Sequence, residues 1–347
     1  MKKKQAWIGL LISAAFLYLA FRKSDWRQIA AAAGQADYLV VLASLGLYFL
    51  SFWLRAVRWR YFLLPAGRPG LNSLFGAIMI GFMSLNVLPF RLGEFIRAYV
   101  LGRREGMPAE GVFATIIIER IFDGFTLLLL LITSLLFNPL AFEPQVESWI
   151  RAFCYLALAI YLAALVFLIL VKLKTGMIIG LTEALFKPLP KLRALAGKTI
   201  RSFAIGLAFM NDFRLFAICA FYSILVWLTM AAFYWVSLFA FSLPGGSNLG
   251  LLSGPWGALF LLGAIALGVM IPSSPGFVGA FEWACITALA ALGADRPSAE
   301  SYAIAIHAAQ FIPITLAGII YLYVQNFSFR EIRSGGGKAK AELKGDS

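Results

Sequence analysis

Of the 347 residues, 61% are hydrophobic and only 14% charged, whereas an ordinary soluble chain needs roughly 25% charged residues to coat its surface. That shortfall excludes an extended soluble enzyme and a secreted disulfide scaffold, and Cys154, Cys219 and Cys285 all lie in apolar runs, where they read as small hydrophobes. Thirty Lys+Arg against 17 Asp+Glu give a formal charge of +13; no solvated basic fold carries it, so it points to loops anchored on an anionic cytoplasmic leaflet and not to nucleic acid.

Residues 152–171 hold no charge, and residues 215–294 hold one, Glu282. A helix of about 20 apolar residues spans a bilayer, and a transmembrane barrel would alternate apolar with polar residues instead. The chain therefore reads as an all-α polytopic membrane protein. In chain order, a basic start precedes an apolar segment over 6–21; Arg22, Lys23 and Arg27 follow it without a cleavage site, which reads as an uncleaved anchor. Next come 38–54, closed by Arg55-Ala-Val-Arg58-Trp59-Arg60, and 71–101, interrupted at Pro89. Segments 112–137, 152–171 and 215–241 follow, then a pair over 251–293 broken at Ile271-Pro272-Ser273-Ser274-Pro275-Gly276, then 301–324. Between them, residues 178–211 place Leu192, Leu195, Phe203 and Leu207 near one helical face and Lys191, Lys198 and Arg201 on another, as a helix lying on the cytoplasmic surface does. Residues 330–347 read as a disordered basic tail, which leaves 1–329 as a single membrane-embedded domain and no run for a soluble one.

Nine full crossings would put eight Lys/Arg of the 172–214 loop outside, against the positive-inside rule. If 71–101 enters and leaves on one side as a broken hairpin, 24 of the 30 Lys/Arg fall inside, five outside, and Arg120 within the membrane. The expected architecture is six full crossings plus two broken, re-entrant hairpins, with both termini cytoplasmic. Two interrupted elements entering from opposite sides suggest the inverted repeat of many transporters.

Enzyme signals are sparse. A single histidine excludes His-rich metal sites and His-Glu-x-x-His hydrolases. Gly197-Lys198-Thr199 lacks the preceding glycine and strand of a phosphate loop. No catalytic residue, cofactor or metal is expected. His307 sits in an apolar helix, either as a neutral imidazole bonded to a neighbouring helix or as a proton relay. Arg55, Arg58 and Trp59 at a helix end read as headgroup anchors, although one arginine could reach inward to a phosphate.

The richest stretch is Asn86-Val-Leu-Pro89-Phe-Arg91-Leu-Gly93-Glu94-Phe-Ile-Arg97. Pro89 ends a helix, Gly93 permits close backbone approach, and Arg91, Glu94 and Arg97 project at spacing three from the helix that follows. Freed amides and guanidiniums suit an anion; a solvated charge pair in a cytoplasmic loop is the plainer reading. Glu119 and Asp123 share a helix face, with Arg120 and Asp123 at i,i+3. Intramembrane ions cost about 2.5–3.5 kcal/mol each on insertion scales, so these should be paired and inward, either as a lock to Arg91 or Arg97 or as part of a site. Glu282, starting another half-helix after Pro275-Gly276 and Gly279, needs a partner arginine or a proton.

Taken together, Arg55-x-x-Arg58-Trp59, Asn86-x-x-Pro89-x-Arg91-x-Gly93-Glu94-x-x-Arg97, Glu119-Arg120-x-x-Asp123 and Pro275-Gly276-x-x-Gly279-x-x-Glu282 occur in order over residues 5–325. This resembles the flippase domain of lysylphosphatidylglycerol synthases and the stand-alone family built around that domain. The resemblance implies translocation of a phospholipid or other polar lipid between leaflets, with links to isoprenoid lipids such as dolichol-type carriers and hopanoids. The synthases carry a soluble aminoacyl-transfer domain after this one; here the chain ends, so synthase activity is not expected to be inherited. The expected function is a lipid flippase of the cytoplasmic membrane. An anionic phospholipid or polyprenyl-linked lipid would be held between the two broken elements by Arg58, Asn86, Arg91, Gly93, Glu94, Arg97, Glu119, Arg120, Asp123, Pro275, Gly276, Gly279 and Glu282. The alternatives are a membrane transferase acting on a polyprenyl-phosphate lipid and an accessory partner of a separate lipid synthase.

Overall fold

A computed structural model describes residues 2–88, 91–137, 155–163, 166, 170, 173–185, 197, 207–241, 243, 254–270, 274–329 and 331–332. Among these the architecture is helical, with no strand element. The helices are α1 (Lys2–Phe21), α2 (Trp26–Gly34), α3 (Tyr38–Leu63), α4 (Leu71–Val87), α5 (Gly93–Glu105), α6 (Ala109–Phe137), α7 (Thr175–Leu185), α8 (Phe213–Leu238), α9 (Pro255–Met270), α10 (Ala280–Ala291) and α11 (Arg296–Val324). Two 3-10 turns, Leu207–Asn211 and Pro275–Phe277, join them.

Among the described residues, α3, α8 and α11 are long and apolar enough to cross a bilayer. The halves on either side of each expected interruption are shorter, as in Leu71–Val87 and Pro255–Met270. Both broken elements are present: α4 stops at Val87 and α5 starts at Gly93, while α9 stops at Met270 and α10 starts at Ala280. Pro89 and residues 271–273, which the sequence marks as the breakpoints, lie outside the described residues.

Local chemistry explains several boundaries. Asp25 caps α2 by accepting the Arg27 N–H at 2.9 Å, satisfying a donor that has no partner within the helix. Helix α5 ends at Gly106, whose φ of 66° is left-handed, and Arg103 and Arg104 in its last turn complement the helix dipole.

The chain divides into two compact units, Met1–Ser51 with Thr126–Ala157 and Leu225–Pro313, and Phe52–Phe125 with Leu158–Ile224 and Ile314–Ser347. Each contains one broken element. In the first, α9 packs on α10 and α1 lies along α10, with the Phe16 and Trp283 rings 5.2 Å apart. Gly268 lets the two halves approach, because a Cβ there would collide with that of Ala284. In the second, α4 packs on α5 through Gly81 and Gly93, where a Cβ on Gly93 would strike the Gly81 carbonyl oxygen. Gly318 of α11 meets Met79 and Met83 of α4 in the same way, and Phe62, Phe122 and Phe209 of this unit stack edge to face on one another.

Helix α3 does not close near residue 54. It runs on to Leu63, and Arg55, Arg58 and Trp59 are buried within it, with Arg60 exposed. The anchoring role read from the Arg-Trp cluster is therefore overturned for the buried three, because α6 supplies counter-charges that keep the helix going. The surface helix expected over 178–211 overlaps α7, which ends at Leu185; residues 186–196 and 198–206 lie outside the described residues, and Leu207 and Phe209 are buried in a 3-10 turn. Apart from 331 and 332, the tail over 330–347 also lies outside them.

A methyl group at residue 93 should separate α4 from α5. Gly93→Ala is expected to destabilise the protein by about 1–3 kcal/mol, as overpacking does. Gly111→Ala, where a Cβ meets nothing within 4 Å, should be neutral or stabilising by up to about 1 kcal/mol through helix propensity. Thermal unfolding in detergent micelles measures both, and equal midpoints would contradict the close-packing role of Gly93.

Candidate functional site

The second unit encloses a cluster of charges in an apolar surround. Three local patterns assemble it. Arg55 and Arg58 are one helical turn apart on α3; Glu119 and Asp123 are one turn apart on α6, with Arg120 between them; Arg97 comes from α5 once Gly93 lets that half-helix close on α4. Arg97 binds Glu119 bidentately, Nη1 to Oε1 at 2.9 Å and Nη2 to Oε2 at 2.8 Å. Its guanidinium also lies 3.7 Å above the Trp59 ring, and the Trp59 Nε1–H donates to Thr115 Oγ1 at 3.0 Å. Arg58 Nη1 donates to Asp123 Oδ1 at 2.6 Å and to Ser223 Oγ of α8 at 2.9 Å, while its Nη2 lies 3.5 Å from Glu119 Oε1. Arg55 Nη1 reaches Asp123 Oδ2 at 3.4 Å. Arg120 pairs with Glu119 and, at 3.3 Å, with Asp123.

Arg58 and Glu119 are 0% exposed, and Arg55, Arg97 and Asp123 no more than 4%. Arg120 differs: its side chain is 36% exposed, and its Nε lies 3.8 Å from Glu94 Oε1, a loose contact at the rim. Among the described residues, four guanidiniums thus meet two buried carboxylates, with Glu94 as a third, peripheral one, so that guanidinium outnumbers carboxylate in these contacts. The Nε–H groups of Arg58, Arg97 and Arg120 are buried and have no hydrogen-bond acceptor among the described residues. Chemically, the arrangement is an anion-attracting centre whose accessible edge is Arg120.

A second constellation occupies the first unit. Gly276 and Gly279 take φ values of 72° and 88°, which only glycine adopts without strain, and Phe277 between them stands at 61°. Pro275 starts the 3-10 turn, and the Ser274 N–H donates to Ser13 Oγ at 2.7 Å. Glu282 caps its own helix, its Oε2 accepting the Gly279 N–H at 2.6 Å. Its Oε1 lies 2.6 Å from His307 Nδ1, and His307 Nε2 lies 2.9 Å from the Gly276 carbonyl oxygen.

The structure thus brings Arg58, Arg97, Glu119, Arg120 and Asp123 together, with Glu94 at their edge. The Arg97 alternative of the expected lock is the one formed. Gly93 serves helix approach. Arg91 was expected on the face of the following helix; it lies before that helix, exposed, with φ of 51°. Asn86 donates to Thr315 Oγ1 of α11 at 2.9 Å. Among the described residues the partner of Glu282 is His307 and no arginine, so the neighbour expected for His307 and the partner needed by Glu282 are one contact. Arg55, Trp59, Ser223 and His307 stand outside the expected residue set. The spacing of Arg55 and Arg58, and a lone histidine 25 residues beyond a lone glutamate in apolar helices, were the signals available for them.

The family described as the lysylphosphatidylglycerol synthase TM region matches residues 6–318. The chain belongs to that family of membrane proteins. It is 27% identical over 173 residues to a UPF0104 membrane protein of Methanothermobacter thermautotrophicus, covering 46% of this chain and 50% of that one. It is 35% identical over 120 residues to Glycosyltransferase AglD of Haloferax volcanii, covering 34% of this chain and 19% of the relative. The chain thus spans half or less of the length of these relatives. No solved structure matches it.

Removing one member of a buried ion pair strands the other. Glu119→Gln is expected to destabilise the protein by about 3–5 kcal/mol. Arg97→Met combined with Glu119→Met should lose clearly less than the sum of the single losses, which denaturation midpoints in micelles of one lipid-detergent composition will read. Additive losses would mean that the bidentate contact is not formed.

Proposed function

We propose that the protein moves an anionic lipid, a phospholipid or an isoprenoid-linked phosphate, between the leaflets of the cytoplasmic membrane. A charged headgroup does not cross hydrocarbon unaided, because desolvating an ion there costs tens of kcal/mol in the limit of a dry medium. A protein serving that step needs fixed charge of the opposite sign at membrane depth and a way for the acyl or prenyl chains to stay in the bilayer.

The observation that carries the reading is the excess of guanidinium over carboxylate among the described residues of the cluster, with Arg120 at its open edge. A phosphate oxygen arriving there meets Arg120 while Glu94 is held at only 3.8 Å. Replacing Glu94 by phosphate exchanges a long ion contact for short charge-assisted bonds. Glu119 and Asp123 keep the arginines positioned and buried. The six crossings, two re-entrant hairpins and cytoplasmic termini inferred from the 24-to-5 distribution of basic residues, and the inverted repeat inferred from the two interrupted elements, belong to this proposal, as does the single-domain organisation.

A second reading is favoured by the 120-residue likeness to Glycosyltransferase AglD: a membrane part that presents a lipid to group-transfer chemistry, in this chain or on a separate synthase. Against catalysis within the arginine cluster, both oxygens of Glu119 already face guanidiniums, which leaves a poor general base.

Reconstituted protein should accelerate the movement of fluorescent phosphatidylglycerol across vesicles. Arg120→Ala should slow it about tenfold or more, the scale of one lost charge-assisted bond of about 1.5–3 kcal/mol. Arg120→Lys should retain part of the rate, since a point charge keeps attraction without the planar fork. Movement no faster than in protein-free vesicles would overturn the transport reading, and glycosyl or aminoacyl product formed on a lipid acceptor would favour the second.

A further inference from the structure

The Glu282–His307 contact has a property that the arginine cluster lacks. A carbonyl oxygen can only accept, so the 2.9 Å contact to Gly276 requires a hydrogen on His307 Nε2. A neutral imidazole then carries a lone pair on Nδ1. That nitrogen lies 2.6 Å from Glu282 Oε1. A lone pair facing an ionised carboxylate at this separation is repulsive, so one more proton must lie between them. It sits on the carboxyl or on the imidazole, and in both cases the couple is neutral with one proton and negative without it. Glu282 Oε2 is engaged by the Gly279 N–H, which leaves Oε1 as the oxygen that exchanges.

Among the described residues, no contact of this pair brings another charged side chain to it. Helix α9 has no titratable side chain, and Glu282 is the only charged residue of α10, with Cys285 as its thiol neighbour. From α11 come His307 itself and Gln310, whose amide bonds the Tyr234 hydroxyl of α8 and whose carbonyl faces the Tyr48 hydroxyl of α3. Phe281 stacks on the imidazole with centroids 4.4 Å apart. Helix α1 contributes the Ser13 hydroxyl to Ser274. The basic and acidic residues of α11 in this unit, Arg296 and Glu300, bind each other at 2.7 Å, with Ser24 on Glu300 and the Ala20 carbonyl on Arg296. In the arginine cluster, by contrast, the partners are guanidiniums, which give up no proton.

Both ends of the couple hold the broken backbone: Glu282 the Gly279 N–H and His307 the Gly276 carbonyl. Between these two points Phe277 keeps a left-handed φ of 61°, a conformation that persists only when neighbouring contacts impose it. Loss of the proton turns the Nδ1–Oε1 contact repulsive and releases the clamp.

We propose that Glu282 and His307 form a one-proton binding site that clamps the Gly276–Gly279 turn ahead of α10, and that proton release opens that turn. Resting on the transport reading, the proton is then the ion whose flow drives lipid movement. It arrives from water on one side and leaves to water on the other, and no bond changes except O–H or N–H.

The chain has a single histidine, so nitrogen-15 histidine labelling reports on this site alone, without mutation. Solid-state NMR of the full chain in phosphatidylethanolamine–phosphatidylglycerol vesicles should show Nε2 protonated throughout and one pH step at Nδ1. That step should be displaced or lost in Glu282→Gln. The opposite tautomer, or an Nδ1 response identical in Glu282→Gln, overturns the proton site. In the same vesicles, inverting a gradient of about one pH unit should invert the accumulation of labelled phosphatidylglycerol, by up to about tenfold for one proton per lipid. Lipid movement indifferent to the gradient overturns the coupling and leaves transport standing. Absence of all lipid movement overturns transport, while the NMR step still decides the proton site.

Discussion

Arg58 binds Asp123 at 2.6 Å and faces Glu119, with none of the three more than 3% exposed, and the second unit is organised around that contact. A charge surrounded by apolar side chains is tolerated only when its partners are already in place. Helix α3 must therefore continue past its apolar stretch, α6 must turn its Glu119–Asp123 face toward it, and α5 must come near enough for Arg97 to complete the set. The last condition is steric: Gly93 against Gly81 allows it, and a side chain there would not.

The two broken elements solve a shared problem differently. Gly93 opens α5 and Gly279 caps the start of α10, and each second half places a glutamate in its first turn, Glu94 in α5 and Glu282 in α10. Glu282 turns back onto the Gly279 amide and is closed by His307. Glu94 stays at the rim, within loose reach of Arg120. One break is thus closed by a glutamate–histidine contact, and the other borders a cluster rich in guanidinium.

A good deal of this was legible in the residues. Low charge and long apolar runs gave the helical membrane class, and the family resemblance agrees with the match over residues 6–318. The interruptions after Val87 and after Met270 followed from proline and glycine, and the need of buried ions for partners left Arg91 and Arg97 as alternatives, of which Arg97 binds Glu119. What misled was locality. Arg55, Arg58 and Trp59 look like an interfacial belt because that is where such residues usually stand, and nothing within α3 announces the carboxylates of α6. Arg91, equally spaced with Glu94 and Arg97, looks like a helical neighbour, but helix α5 starts two residues later and leaves it exposed.

The amino-acid sequence by itself determined that apolar runs form helices and that two of them break after Val87 and Met270, since hydropathy, proline and glycine act within a few residues. It also determined that Arg120, Glu119, Asp123 and Glu282 require partners, because hydrocarbon cannot solvate them. The choice of partner was decided by tertiary structure alone. Arg58 and Asp123 are 65 residues apart, and Glu282 and His307 are 25 apart. Pairing over such separations depends on how helices turn and approach, which is set by side-chain packing in three dimensions and not by any local pattern.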